Sequence, residues 1–277
     1  MAIVVNTNTA SSNAINQLNK NNRNLMDSFR RISSGLRITK AADDAAGMGV
    51  AENLDASVRS LRQAARNTND GISVISTAEG ATSEVVNIIK RMRELAVQSA
   101  SDTLDDNERA YIQEEYTELA AEVDRIAQVT NFNGVALSEG TNTTIDVQVG
   151  INNTANDRIT ITLGDLRSTV LGIDTASLSL SSSAGAQSAL DTLDTALDTV
   201  SGYRSDLGAV ENRLDSALDN LEVYTENLEA AESRIRDADF AYETAEMSKN
   251  QIMQQAGVSV LAQAKSLTAG ALTLLQS

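Results

Sequence analysis

An aliphatic residue returns every seven positions between residues 193 and 235, as Leu193, Val200, Leu207, Leu214, Leu221, Leu228 and Ile235. Three residues after each of the first six stand Ala196, Tyr203, Val210, Ala217, Tyr224 and Ala231. A 4–3 alternation held over six heptads keeps one apolar stripe on one side of a long helix. Such a stripe leaves few architectures open other than helix pairs and bundles. The whole chain of 277 residues lacks proline, so nowhere is a helix interrupted by a missing amide donor.

The same alternation recurs elsewhere. Near the N-terminus Ile15, Leu18, Asn22, Leu25, Phe29, Ile32 and Leu36 form a heptad seam. Asn22 is its one polar member, either an amide that fixes register or a surface residue. The other faces of this helix carry Lys20, Arg23, Arg30, Arg31, Arg37 and Lys40 against Asp27 alone. A second helix is predicted from Leu54, Val58, Leu61, Ala65, Thr68, Ile72 and Ile75. Its phase slips around Glu79–Gly80, after which Val85, Ile88, Met92 and Leu95 take over. SDTLDDN (101–107) reads as a turn and helix cap. Ile112, Tyr116, Leu119, Val123 and Ile126 then make a third helix, which a short connection returns antiparallel on the second. Met253, Ala256, Val260, Ala264, Leu267, Ala271 and Leu274 make a small-residue seam in the last helix.

Between the third helix and the long heptad run the character changes. NFNGV (131–135) is turn chemistry. TTIDVQVG (143–150) and RITITL (158–163) alternate apolar and polar residues and are rich in β-branched types, which predicts two strands joined by a polar loop. The fold class is therefore mainly α, a long antiparallel coiled-coil helical bundle with a small β-containing central region, to which the resemblance given below adds paired terminal helices.

Composition excludes several functions. Cysteine, histidine and tryptophan are absent, which removes disulfides, thiolate nucleophiles and the commonest general base and metal ligand. No catalytic constellation, cofactor site or metal site is expected, and the chain is read as no enzyme. The net charge of −16 argues against nucleic acid and anionic membrane as partners. No segment reaches the roughly 20 apolar residues of a membrane span, and MAIVVNTNTASS does not read as a secretory signal. From 189 to 232 there are eleven acidic residues against Arg204 and Arg213, a solvated face or one that receives basic segments of another helix. Terminal helices with thin seams bury little alone, so they pack on each other or on other molecules.

One stretch interrupts the helical pattern early. RISSGLRITKAADDAAGMGVAENL (31–54) places Gly47 and Gly49 close together behind the acidic pair Asp43 and Asp44. It resembles the N-terminal signature of bacterial flagellins. NLEAAESRIRDADFAYETAEMSKNQIMQQAGVSVLAQA (227–264) resembles the matching C-terminal signature, and NFNGV resembles the family's turn after its second outer helix. The resemblance covers roughly 1–140 and 185–277. It implies a subunit that polymerises into the extracellular flagellar filament for swimming, exported unfolded without a cleaved signal. Residues 1–42 and 236–277 would form an inner terminal-helix coiled coil. Residues 43–139 and 185–235 would form an outer helical domain, and 140–184 a short variable region. Ser33–Gly49 would be the joint, with its glycines lowering helix propensity and Asp43 and Asp44 capping the next helix.

The partners this implies are other copies of the chain in a helical homopolymer, a flagellar export chaperone, and cap and junction proteins. The inner-packing residues expected are Ile15, Leu18, Leu25, Phe29 and Ile32 with Val260, Leu267 and Leu274. Some flagellins are bound by a vertebrate Toll-like receptor of innate immunity. The matching segment here is KRMRELAVQ (90–98), with Arg91, Leu95 and Glu115 at the corresponding positions and Arg91 and Leu95 sharing a helix face. The family often carries a proline near its C-terminus where this chain reads KSLTAGALTLL, so the final helix is expected to be more continuous. The alternatives are a hook–filament junction protein, which shares this plan, and a soluble coiled-coil adaptor or adhesin.

Overall fold

The computed structural model describes residues 8–276, with side chains up to residue 266. Contacts gather the chain into two units. One joins the N-terminal stretch as far as Val58 to the C-terminal stretch from Asn227, and the other is Arg59–Glu226. Six α-helices carry the fold: α1 (Thr9–Ser34), α2 (Ala45–Ser99), α3 (Asp106–Val129), a single turn α4 (Ser168–Leu171), α5 (Ser183–Arg236) and α6 (Phe240–Gln276). The last is unbroken, as the absence of proline predicts.

The Arg59–Glu226 unit closes a core of its own. Six seam positions of α5 are buried: Leu193, Ala196, Val200, Leu207, Leu214 and Leu221. The first five cluster with Ile75, Val85, Ile89 and Met92 of α2 and, at one end, Ile112, Tyr116 and Val123 of α3. The sequence predicts a phase slip in α2 near Glu79–Gly80, but none occurs. Ile75, Ala78, Thr82, Val85, Ile89, Met92 and Ala96 are buried in one continuous 3–4 series. Thr82 holds a seam position with no exposed surface because its hydroxyl donates to the Ala78 carbonyl at 2.6 Å. A threonine that satisfies itself inside the helix can sit where apolar residues are sought.

Polar locks seal the end of this unit. Asp105 caps α3 by accepting from the Glu108 amide at 2.7 Å, and the Glu108 carboxylate accepts from the Asp105 amide at 3.1 Å. Arg109, only 5% exposed, donates to the carbonyls of Ser99, Ser101 and Leu104 and so closes the C-terminal end of α2. The buried Tyr116 hydroxyl donates to the Ile173 carbonyl at 2.8 Å. The β elements are two hairpins. β1 (Asn131–Phe132) pairs with β2 (Val135–Ala136) across Asn133 and Gly134, both with positive φ. β3 (Thr144–Gln148) pairs antiparallel with β4 (Arg158–Thr162), Thr144 facing Thr162 and Gln148 facing Arg158. Val147, Ile159 and Ile161 turn inward onto α2 and α5.

In the other unit α1 and α6 run antiparallel. Asn8 caps α1 by accepting from the Ser11 amide, and Gly35 ends it in the left-handed conformation at φ 72°. Leu36 bridges Asp237, the Arg37 amide donates to the Arg236 carbonyl and the Ala238 amide to the Gly35 carbonyl. Asp43 accepts from the backbone and hydroxyl of Thr39 and from the Lys40 amide. Burial opposes ionisation of Asp43, but those hydrogen bonds and the Lys40 charge outweigh it and hold the carboxyl below the usual carboxylate range. Asp44 caps α2 by accepting from the Gly47 amide at 2.8 Å. The break in helix is thus 35–44, and Gly47 and Gly49 lie inside α2. Gly47 is needed for close approach, since a Cβ there would lie 2.4 Å from the Asp44 carboxylate.

Candidate assembly surface

The α1–α6 seam is fixed at four levels by named contacts. The Asn8 side chain donates to the Ala264 carbonyl at 3.1 Å, and a Cβ on Gly257 would lie 2.8 Å from Leu18. The Asn21 amide donates to the Asn250 carbonyl at 2.7 Å, and Arg31 pairs with Glu243 at 3.0 Å. On α1 the covered stripe is Ala14, Leu18, Asn21, Leu25, Ser28 and Ile32. On α6 it is Glu243, Met247, Asn250, Gln254, Gly257, Leu261 and Ala264. Both keep the 4–3 spacing, yet two of six members on α1 and four of seven on α6 are polar or glycine. Glu243 and Asn250 are almost fully buried in it.

The expected seam residues therefore divide. Leu18, Leu25 and Ile32 lie on the covered stripe of α1. Ile15 and Phe29 point outward, 43% and 65% exposed. Val260 is 59% exposed and Met253 57%, so these two members of the apolar series predicted for α6 lie beside the covered stripe, whereas Ala264 lies on it. Leu267 and Leu274 fall outside the described side chains. Asn22 is exposed, and the amide that fixes register is its neighbour Asn21. Apolar spacing selects Asn22 and Val260 because it cannot see a seam made of amides and a carboxylate.

The outward faces carry the apolar surface that the seam lacks. Met26 is 67% exposed, Ile252 66%, and Phe240, Tyr242 and Val258 are exposed as well. None of these five was picked out by the heptad reading. The available signal was an excess of apolar residues in α6 over what one stripe can hold. Along one side of the pair Ala14 and Leu18 of α1 and Met253, Ala256, Gly257 and Val260 of α6 line a groove of about 600 Å³.

On the Arg59–Glu226 unit the three receptor-matching positions part company. The Arg91 guanidinium donates twice to Glu115, at 2.7 and 3.0 Å, and once to Glu94 at 3.0 Å. The Glu115 hydrogen bond, then that of Glu94, raises the arginine pKa, so the charge is held. Leu95 is 2% exposed and belongs to the core, not to the face that Arg91 and Glu115 share. Among the described residues no group of histidine, cysteine or carboxylate side chains converges as a metal site, and no helix is long and apolar enough to cross a membrane.

Comparison with known proteins agrees with this arrangement from end to end. The bacterial flagellin N-terminal helical region matches residues 5–143, and the bacterial flagellin C-terminal helical region matches 190–275. The chain is 41% identical to the flagellin of Halalkalibacterium halodurans over 99% of its own length and all of that protein's. It is 38% identical to a flagellar filament core protein of Treponema phagedenis, over 99% of this chain and 100% of that one. The crystal structure of Bacillus cereus flagellin superposes with a TM-score of 0.50 at 33% identity, covering 56% of this chain and 88% of that one. A putative flagellar hook-associated protein of Vibrio parahaemolyticus shares the fold, with a TM-score of 0.59 at 15% identity over 70% of this chain and all of the other. Matched at both helical ends and along its whole length, the chain belongs to the bacterial flagellin family and is a structural subunit of the flagellar filament.

Proposed function

We propose that this subunit enters the filament by burying the outward stripes of α1 and α6 against other copies of itself. The observation that carries the proposal is the inversion just described. Five of the thirteen seam positions inside the unit are polar, while Phe29, Met26, Ile252, Met253 and Val260 are left to solvent. Burying one such side chain is worth about 1.5–3 kcal/mol, and a non-closing contact repeated from copy to copy makes an open helical polymer. Residues 1–42 with 236–277 form the inner layer in this reading, 43–139 with 185–235 the outer helical layer, and 140–184 its short surface. Ile15, Phe29 and Val260 act between copies. Leu18, Leu25 and Ile32 act within one. The role is architectural, with no catalytic step.

The test is elongation from filament seeds by Phe29→Asp and Val260→Asp variants, read by pelleting and negative-stain microscopy beside circular dichroism. Both variants are expected to keep the parent's helix content and melting while elongation fails. Normal filaments from either variant would overturn the assignment. A parent chain that caps seeds without elongating them would instead favour the junction role. Export without a cleaved signal, with a chaperone on the terminal helices and cap or junction proteins at the filament end, belongs to the same reading. For the Toll-like receptor, Arg91 and Glu115 supply the recognised surface, and Leu95 supports it from beneath. Arg91→Ala is expected to weaken receptor activation by free subunit while leaving elongation intact. Equal activation by the variant would remove this face from recognition.

A further inference from the structure

The chain has no cysteine, histidine or tryptophan, so its thioethers are the foremost targets for a two-electron oxidant. There are six methionines, at 1, 26, 48, 92, 247 and 253. Their surroundings differ sharply. Met92 has no exposed surface inside the Arg59–Glu226 core, and Met48 and Met247 are half-buried. Met26 and Met253 are 67% and 57% exposed. Met26 stands on the outward stripe of α1, three residues before Phe29. Met253 stands on the wall of the α1–α6 groove, beside Ala256 and Val260. Among the described methionines the two most exposed thus lie on the surface assigned above to contact with other copies.

We infer that Met26 and Met253 are oxidation sites, and that their conversion to methionine sulfoxide blocks addition of this chain to a filament without unfolding it. The inference rests on the assembly surface proposed above. With hydrogen peroxide as oxidant, the thioether sulfur attacks one peroxide oxygen and the O–O bond breaks. A sulfur–oxygen bond forms, and the second oxygen leaves as water after taking up the proton. Sulfur gives up two electrons and the peroxide is reduced by two. In the free subunit the new oxygen faces water and costs the fold nothing. In a contact between copies it would lose water and lie against Phe29 or against Ala256 and Val260, and unless Gln17, Asn24 or Lys249 of the same groove turned to donate to it, the buried acceptor would be unpaired and unfavourable. Assembly in turn shields both sulfurs, so sensitivity is confined to subunits not yet added.

The test treats the purified full-length chain with hydrogen peroxide, locates sulfoxide by peptide mass spectrometry, and measures melting and seeded elongation. Met26 and Met253 are expected to oxidise well before Met92, with melting unchanged. The critical concentration for elongation should rise about tenfold for each oxidised site. Methionine sulfoxide reductase should restore elongation, and in a Met26→Leu, Met253→Leu chain peroxide should leave the critical concentration at that chain's own untreated value. Normal elongation by a chain fully oxidised at both sites would overturn the inference. So would peroxide inhibition undiminished in the doubly substituted chain. The assembly surface is checked separately by oxidising finished filaments. Shielded Met26 and Met253 keep that surface even if oxidised monomer elongates, whereas sulfurs as reactive in filaments as in monomer would overturn both.

Discussion

The two units are written in the same 4–3 heptad alternation and put it to opposite uses. In Arg59–Glu226 the alternating positions are aliphatic or small and meet one another, as Leu193, Val200 and Leu207 of α5 meet α2. That unit needs nothing else to complete its core. In the unit of α1 and α6 the covered stripes mix Asn21, Ser28, Glu243, Asn250 and Gly257 with Leu18, Leu25, Ile32 and Leu261, and a second set of apolar residues looks outward. Heptad periodicity therefore says that a helix has a partner, but not whether that partner is in the same chain. The sorting variable is the chemistry of the covered stripe relative to the uncovered one.

The contrast can be broken most directly at Leu193. Leu193→Ala removes a fully buried side chain and should cost the Arg59–Glu226 unit about 3 kcal/mol, read as a lower urea midpoint. An unchanged midpoint would mean that this unit, too, depends on outside partners. Arg109→Met leaves three carbonyls at the end of α2 without their donor and should cost about 2 kcal/mol in the same experiment. Asp44→Ala removes the cap of α2 and should cost about 1 kcal/mol. Loss of helix signal confined to the beginning of α2, resolved by amide hydrogen exchange, would place that cost correctly. Smallest of all, Phe29→Ser should change monomer stability by no more than about 0.5 kcal/mol while abolishing elongation. A large loss of monomer stability would show that the outward stripe is already covered within the chain.

Titration sharpens the same contrast. Burial, helped by the negative charge of Asp174, pushes the Tyr116 phenol far above its ordinary value. A group whose folded pKa is raised contributes its full stability below the unfolded value and loses it as pH climbs toward the folded one. The Arg59–Glu226 unit should therefore weaken as pH rises above about 10. Tyr116→Phe should flatten that alkaline decline in urea midpoints, despite the loss of one hydrogen bond. A decline as steep in the variant as in the parent would assign it elsewhere.

What the sequence made legible follows the same division. The α5 heptads, both strands of the larger hairpin, the α3 cap and the NFNGV turn all stand where the pattern puts them, because each is local chemistry or strong periodicity. The apparent slip in α2 arose because Thr82 and Ala78 occupy seam positions that an aliphatic search skips. In α6 the search followed Met253 and Val260, the better apolar series, and so found the uncovered face. Gly49 reads as part of the joint but meets open space inside α2. Spacing leaves Leu95 open between the face of Arg91 and the core, and it is core, since a wide α2 interface covers more than one stripe. Polar seam residues give no periodic signal, and only the paired helix reveals them.

Three contacts between α1 and α6 are each particular to their level: an amide to a carbonyl at Asn21, a charge pair at Arg31, a leucine over a glycine at Leu18. Sliding one helix by a heptad would misplace all three at once. Such a seam works as an address more than as glue. It admits one alignment of the two chain ends and supplies little adhesion, so the ends are already correctly indexed when the surfaces that do the holding arrive from elsewhere.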